Sequence, residues 1–261
     1  MLSAWSQNPY DSFAVAYTAA NDSNAYNAYY ERPASLALVG DVAGLSVLDA
    51  GCGAGSHAAA LIRRGATVTG LDSSSGMLAI ARQRLGPEVA LHHADLAEPL
   101  PFPAGCFDVV LASLVMHYLH DWRPTLREFH RVLRPGSRLV ISTHHPFMDH
   151  PNPGQTDYFA VYEITEEWAK NGQTALMRFW HRPLHAMTDA FRTCGFALDL
   201  ISEPQPDPVA AEKFPEDYLN LSTKPRFLFF VLSPRSEPHR RPDGGPVGQG
   251  ANPSVGPTMG L

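Results

Sequence analysis

Three acids and a run of glycines stand at positions where they could do chemistry. Gly51-Cys52-Gly53-Ala54-Gly55 follows a short apolar run, Ser46 to Ala50, and precedes a helical pattern that starts near His57. Glycines at a strand-to-helix turn permit left-handed torsions and let a ligand approach the backbone. The same spacing also ends strands for purely structural reasons, so the loop alone decides nothing. Its neighbours are more informative. Asp49 precedes the first glycine by two positions; it would repel a pyrophosphate at the following helix N-terminus and attract an ammonium group. Ser56 stands where a dinucleotide-binding loop would carry its third glycine. Asp72 ends the next apolar run, about twenty residues on, where a carboxylate can accept hydrogen bonds from both hydroxyls of a ribose. Asp95, in His92-His93-Ala94-Asp95-Leu96, follows a third run and can accept from an exocyclic amine. Alone it would read as a solvated loop acid. Taken together, the acids point to a nucleoside that carries a positive charge rather than a pyrophosphate.

The elements that must position these residues alternate regularly. Strands are expected at Ser46 to Ala50, Ala66 to Leu71, Val89 to His93, Phe107 to Ser113 and Arg138 to Ser142. Helical patterns lie between them over His57 to Arg64, Met77 to Leu85 and Asp121 to Leu133, the last stopped by Arg134-Pro135-Gly136. This rhythm implies βαβ units and a parallel sheet with helices on both faces. It then changes. Tyr158 to Trp168 and Thr174 to Arg182 are β-like runs flanking Ala169 to Gln173, a hairpin whose Asn171-Gly172 sits in a loop longer than the ideal two residues. A helix over Pro183 to Thr193 and strands over Phe196 to Ile201 and Phe227 to Leu232 follow. Tyr10 to Gly40 reads as a helical lid ahead of the first strand.

Composition sets the outer limits. A chain of 261 residues with 44% hydrophobic side chains can bury one full α/β domain with a small cap, not two large domains. A net charge of −6 disfavours a general nucleic-acid binder. Three cysteines at unrelated spacings make neither a disulfide framework nor a zinc site, and point to a reducing cytoplasmic setting. No signal peptide, membrane span or metal cluster is expected. From Ser233 onward the chain is rich in proline and glycine and reads as a disordered tail.

Val47 to Gly55 (VLDAGCGAG), Val68 to Leu78 (VTGLDSSSGML), the HHADL run, Phe107 to Leu119 (FDVVLASLVMHYL) and Arg131 to Ser142 (RVLRPGSRLVIS) occur in an order that resembles class I S-adenosylmethionine-dependent methyltransferases. The likeness is to the small-molecule, ubiquinone/menaquinone-biosynthesis-type branch. It implies a Rossmann-like, seven-stranded, mostly parallel sheet whose last strand, Phe227 to Leu232, is reversed. The resemblance covers roughly Tyr10 to Leu232; with the segments read above, the chain divides into residues 1–40 as a lid, 41–232 as the methyltransferase domain, 146–183 within it as a hairpin cap over the acceptor, and 233–261 as the tail. It also implies site roles. Gly51, Gly53 and Gly55 would contact the methionine moiety, and Asp49 would support its amino group. Asp72 would hold the ribose, Asp95 and Leu96 the adenine, with Met77 against the adenine and Ser113 facing the methionine. The cofactor would be S-adenosyl-L-methionine, leaving as S-adenosyl-L-homocysteine.

The acceptor end is expected to be a small, aromatic or otherwise electron-rich molecule methylated on carbon, nitrogen or oxygen. Methyl transfer is an in-line displacement, so alignment carries much of the rate and a base is needed only where a proton must leave. His117 after the fourth strand, and His144 and His145 after the fifth, are candidate bases. The hairpin offers a second set: Glu163 and Glu166, interleaved with Tyr158, Phe159, Tyr162, Trp168, Phe179 and Trp180, could give a buried carboxylate in an aromatic wall. The competing readings are a nicotinamide-dependent oxidoreductase, disfavoured by Asp49 and Ser56, and a catalytically silent S-adenosylmethionine-binding protein. A nucleic-acid methyltransferase is disfavoured by charge and by Ser113-Leu114-Val115-Met116, which lacks the Asn/Asp-Pro-Pro-aromatic pattern of base-amino methylation.

Overall fold

A computed structural model of the protein describes residues 9–150, 154–170 and 172–235. The expected tail from Ser233 falls almost wholly outside them. Seven strands form one sheet: β1 (Ser46–Ala50), β2 (Thr67–Asp72), β3 (Ala90–His93), β4 (Phe107–Ser113), β5 (Leu133–His144), β8 (Phe196–Ser202) and β9 (Phe227–Pro234). Their order is β3-β2-β1-β4-β5-β9-β8, with β9 antiparallel to both neighbours. Order reverses at β1 and β4, so the crevice beyond their carboxyl ends is where an open α/β sheet binds ligands.

Each central strand is buried on both faces, as its apolar run requires. Val47, Val109 and Val140 point to one side, where α2 (Arg32–Val39) and α3 (Ser56–Arg63) pack. Leu48, Val110 and Ile141 point to the other, under α5 (Arg123–Val132) and α7 (Leu184–Thr193). α5 also secures the loop after β3: Thr125 Oγ1 donates to the Leu96 carbonyl (2.7 Å), and Arg131 reaches the carbonyls of Leu100 and Phe102. Among the described residues no helix is long and apolar enough to cross a membrane.

Two expected boundaries shift. β5 starts at Leu133, directly after α5, and absorbs Arg134-Pro135-Gly136 as a register shift against β4. The hairpin strands β6 (Tyr162–Lys170) and β7 (Gln173–His181) pair as far as Lys170 and Gln173. Only Asn171-Gly172 separates them, so the connection has the favoured two-residue length rather than the longer loop read from sequence. Tyr158 and Phe159 precede the hairpin instead of belonging to it. The hairpin forms its own two-stranded sheet, inserted between α6 (Pro146–Asp149) and α7.

The N-terminal segment is two helices joined by a wider turn: α1 (Tyr10–Asn21), a π-helical turn at Asn27–Glu31, and α2. α1 lies on α4 (Ser75–Leu85) and is fixed at both ends. The Asp11 carboxylate accepts from the Gly76 amide (2.9 Å) and the Ser74 hydroxyl (2.7 Å), which holds its pKa below the ordinary value. A β-carbon on Gly76 would come 2.8 Å from the Asp11 carbonyl, so this approach requires glycine. At the other end Asp22 takes the Ser56 hydroxyl (2.8 Å) and pairs with Arg84.

A carboxylate at a helix N-terminus contributes about 1 kcal/mol. Asp11→Ala should therefore raise amide exchange across Tyr10–Asn21 about fivefold while the global melting temperature moves little. Unchanged exchange in this segment would show that the latch does not hold α1.

Candidate active site

The crevice at the β1/β4 switch holds a cleft of about 740 Å³. The glycine loop, Asp72, Met77 and Ser113 line it from the sheet side; α1 and the π-helical turn close it from above with Tyr10, Tyr17, Thr18 and Glu31. Gly51 has φ +77° and turns its bare Cα against Val115, where a β-carbon would meet a methyl at 2.5 Å. Asp72 is buried; its carboxylate accepts from the Gly53 amide (2.8 Å) and the Ser74 amide (2.9 Å), which shapes the loop and leaves lone pairs for a ligand. Ser113 Oγ donates to Glu31 (2.7 Å), and Met77 Sδ receives the Thr18 hydroxyl.

Other expected site residues stand one layer back. Gly55 caps α3 with φ +78° and packs on Leu85 rather than the cleft. Asp49 is 1% exposed beneath the loop, against the first turn of α3, and its Oδ2 has no hydrogen-bond partner. Asp95 Oδ1 accepts from the Ala97 amide (2.9 Å) on the loop after β3, and Leu96 is buried beside it. That loop adjoins Asp72, whose carbonyl accepts from the Ala94 amide, but Tyr10 and Tyr118 supply the lining at this end.

The electrostatics turn on a residue the sequence reading missed. Glu31 is 1% exposed and accepts hydroxyl hydrogen bonds from Ser35 (2.6 Å), Ser113 (2.7 Å) and Ser142 (2.6 Å). His57 Nε2 lies 3.0 Å from its other oxygen. Burial opposes the charge, but the imidazolium and the hydroxyls outweigh it and hold the carboxyl at about 2. Burial likewise works against the charge on His57, yet Glu31 and Asp49 raise its pKa. An N-terminal helix position alone would disfavour an imidazolium. Asp49 and Asp72, by contrast, are each pushed by burial up to about 6. Signals for Glu31 were slight: one acid in a tyrosine-rich stretch, on a π-helical turn that no sequence pattern announces.

A second cavity, about 1,110 Å³, opens beside the first and shares Tyr17, Asn21, Asn27, Leu114 and Tyr118 with it. Leu114, on the wall between them, has φ +46°, a left-handed conformation unusual for leucine, held by its amide bonding to Ser142. His117 and His144 stack at 4.0 Å on the cavity floor. His117 is 3% exposed with Nδ1 unpartnered; burial, with the charges of His144 and Arg226, pushes its pKa well below the usual histidine value. His145 faces elsewhere: it pairs with Glu203 (2.9 Å) and its Nδ1 accepts from the Phe147 amide. The hairpin contributes Trp168, whose ring lies parallel to Tyr17 of α1 (centroids 6.1 Å, 4°). Tyr162 and Phe179 pack into the core instead. Glu163 and Glu166 are exposed and line neither cavity: Glu163 is on the face of β6 opposite buried Tyr162 and Ile164, and Glu166, on their face, lies past the covered part and accepts from the Trp168 indole N–H. The buried hairpin carboxylate expected as a base is thus not found at either position.

Fold and site define an α/β protein whose glycine loop is surrounded by carboxylates, suited to a cationic nucleoside. Residues 48–141 match the family model described as a methyltransferase domain. A malonyl-[acyl-carrier protein] O-methyltransferase of Serratia marcescens is 41% identical over 102 residues, 38% of each chain. A demethylmenaquinone methyltransferase of Clavibacter sepedonicus is 42% identical over 112 residues, 42% of this chain and 45% of its own. The chain spans less than half the length of these two curated relatives. A solved S-adenosylmethionine-dependent methyltransferase from Mesorhizobium loti is 31% identical, with 77% of this chain and 96% of that one covered and a TM-score of 0.63. The chain belongs to the class I S-adenosylmethionine-dependent methyltransferases. S-adenosylmethionine is its cofactor, and the residues fit that group: the orphaned Asp49 oxygen, the buried Asp72 and the bare glycine loop all favour a ligand with an ammonium, a cationic centre and ribose hydroxyls.

Two tests follow from the carboxylates. A ligand that requires Asp49 and Asp72 ionised loses affinity below about pH 6, by up to about tenfold per pH unit for each coupled proton. S-adenosylhomocysteine binding, followed calorimetrically, should weaken as pH falls from about 7.5 to about 5. The ligand-free fold carries the opposite sign from these two groups: they keep protons that the unfolded chain releases above 3.8, so their contribution declines as pH rises through about 6. Glu31→Gln removes one charge of a buried pair and should cost about 3 kcal/mol of stability. It should also lower the His57 pKa, which NMR titration would read.

Proposed function

We propose that the protein transfers a methyl group from S-adenosylmethionine to a nucleophilic carbon, nitrogen or oxygen of a small aromatic or electron-rich molecule held in the second cavity. The observation that carries this reading is the continuity of the two cavities at Leu114 and Tyr118, with the stacked rings of His117 and His144 lining the second. S-adenosylmethionine supplies a methyl on a positively charged sulfur, open to in-line displacement by the acceptor.

The chain's own groups divide the work. Asp72 would accept from the ribose hydroxyls, with Met77, Asp95 and Leu96 around the adenine. Gly51, Gly53 and Ser113 would face the methionine portion, Asp49 would supply negative charge behind it, and Arg32, which lines the cleft with an unpartnered buried Nε, would meet its carboxylate. α1 and the hairpin meet at Tyr17 and Trp168 and would exclude water from the reacting atoms. His117, kept neutral at physiological pH, is suited to accept a proton from an O–H or N–H nucleophile, with His144 stacked on it to hold its plane.

Incubating the protein with methyl-labelled S-adenosylmethionine and pools of small aromatic metabolites, with mass-spectrometric detection, should yield a labelled product together with S-adenosylhomocysteine. Binding of S-adenosylhomocysteine without transfer to any pool would instead support the silent binding protein, and tighter binding of NAD the oxidoreductase. Once an acceptor is in hand, His117→Gln should lower kcat by about a hundredfold with little change in S-adenosylhomocysteine affinity. With cofactor saturating, kcat should stay nearly flat around neutral pH, since burial and the charges of His144 and Arg226 hold the His117 pKa well below the usual histidine value.

A further inference from the structure

One charged group in the second cavity has no place in the reading so far. Arg226, immediately before β9, lines this cavity, and its Nε is buried without a hydrogen-bond partner. Among the described residues no carboxylate lies within ion-pair distance of its guanidinium; the contact it makes is with the ring of Tyr26, 5.8 Å from Cζ. Its charge reaches His117, which it helps to keep neutral. A guanidinium held in a cavity without a counter-ion is costly unless an anion completes it, and its planar fork matches a carboxylate.

The surroundings limit that anion's charge. Glu167 from the hairpin and Asp217 from α9 (Pro215–Thr223) also line the cavity, and neither pairs with Arg226. A phosphate dianion would face one guanidinium against two carboxylates. A carboxylate, with a single charge, asks only for the guanidinium. Tyr17, Tyr26, Trp168 and Phe227 supply the flat apolar surface around it. Arg226 lines this cavity and not the cofactor cleft, whereas Leu114 and Tyr118 belong to both. An anion seated on Arg226 is therefore a handle, and the atom to be methylated lies on another part of the same molecule, toward Leu114.

Resting on the methyl-transfer reading above, we propose that the acceptor carries a carboxylate, bound by Arg226, on a planar apolar body packed against Trp168 and Tyr17. Benzoate, benzamide and phenyl phosphate test this as probes, because they share the ring and differ in charge. Titrated calorimetrically into the full chain saturated with S-adenosylhomocysteine, benzoate should bind about tenfold or more tightly than benzamide, and more tightly than phenyl phosphate. Arg226→Gln should collapse the benzoate-to-benzamide ratio to near one, and Arg226→Lys should restore part of it. S-adenosylhomocysteine affinity, measured on the same samples, should be retained in both variants and reports that they are folded. Equal binding of benzoate and benzamide, a preference for phenyl phosphate, or a ratio that survives Arg226→Gln would overturn the proposal while leaving the methyl-transfer reading standing. Failure of the parent protein to bind S-adenosylhomocysteine would overturn both.

Discussion

The carboxylate of Glu31 accepts from serines on α2, β4 and β5 and faces the imidazolium of His57 on α3. It arrives on a π-helical turn from the N-terminal segment, so one side chain ties the lid region to the switch point of the sheet. A buried ion pair is weak evidence for net stability, because desolvation offsets most of the attraction. What it contributes here is placement. With three hydroxyls on one oxygen of Glu31 and His57 on the other, α2, the ends of β4 and β5 and the start of α3 are held to a common point. Removing either charge leaves the other buried, so the pair is retained as a unit.

Around this hub the site holds groups in states they would not choose in water. Asp49 and Asp72 are crowded toward protonation, His117 is denied its proton, and Leu114 sits in a left-handed conformation. Each state costs free energy that the doubly buried sheet and its helices must offset. A ligand bearing positive charge and hydroxyl donors relieves the carboxylates, so part of its binding energy comes from discharging an unfavourable free state. The two cavities thus differ in electrical character: in the first, carboxylates gather around the glycine loop, and in the second, Arg226 stands unpaired beside Glu167 and Asp217.

Much of this was legible in the sequence, for specific reasons. Continuous apolar runs such as Val47-Leu48 and Val109 to Leu111 are what strands buried on both faces require, and Gly51 and Gly53 mark the turn where the first strand opens into the cleft. The count of seven strands and the reversed β9 followed from the resemblance, not from periodicity; the strand order came with the structure. What the chain did not disclose depends on approach in three dimensions. Glu31 lies 26 positions from His57 and becomes a site residue only because a π-helical turn swings it inward. His117, His144 and His145 look alike as sequence, yet two stack in a cavity and the third caps α6, a distinction set by where β5 ends. Glu163 was misplaced because it falls on the face of β6 opposite Tyr162 and Ile164, and Glu166, on their face, because the cover over that face does not reach it. Arg226 offered no motif at all.

α1 contributes Tyr17 and Asn21 to both cavities, and its latches at Asp11 and Asp22 flank the cofactor cleft. Under the proposed reading, the nucleoside and the acceptor share this helix as a wall, so a displacement of α1 that widens one subsite widens the other. The two subsites are then neighbours mechanically as well as chemically.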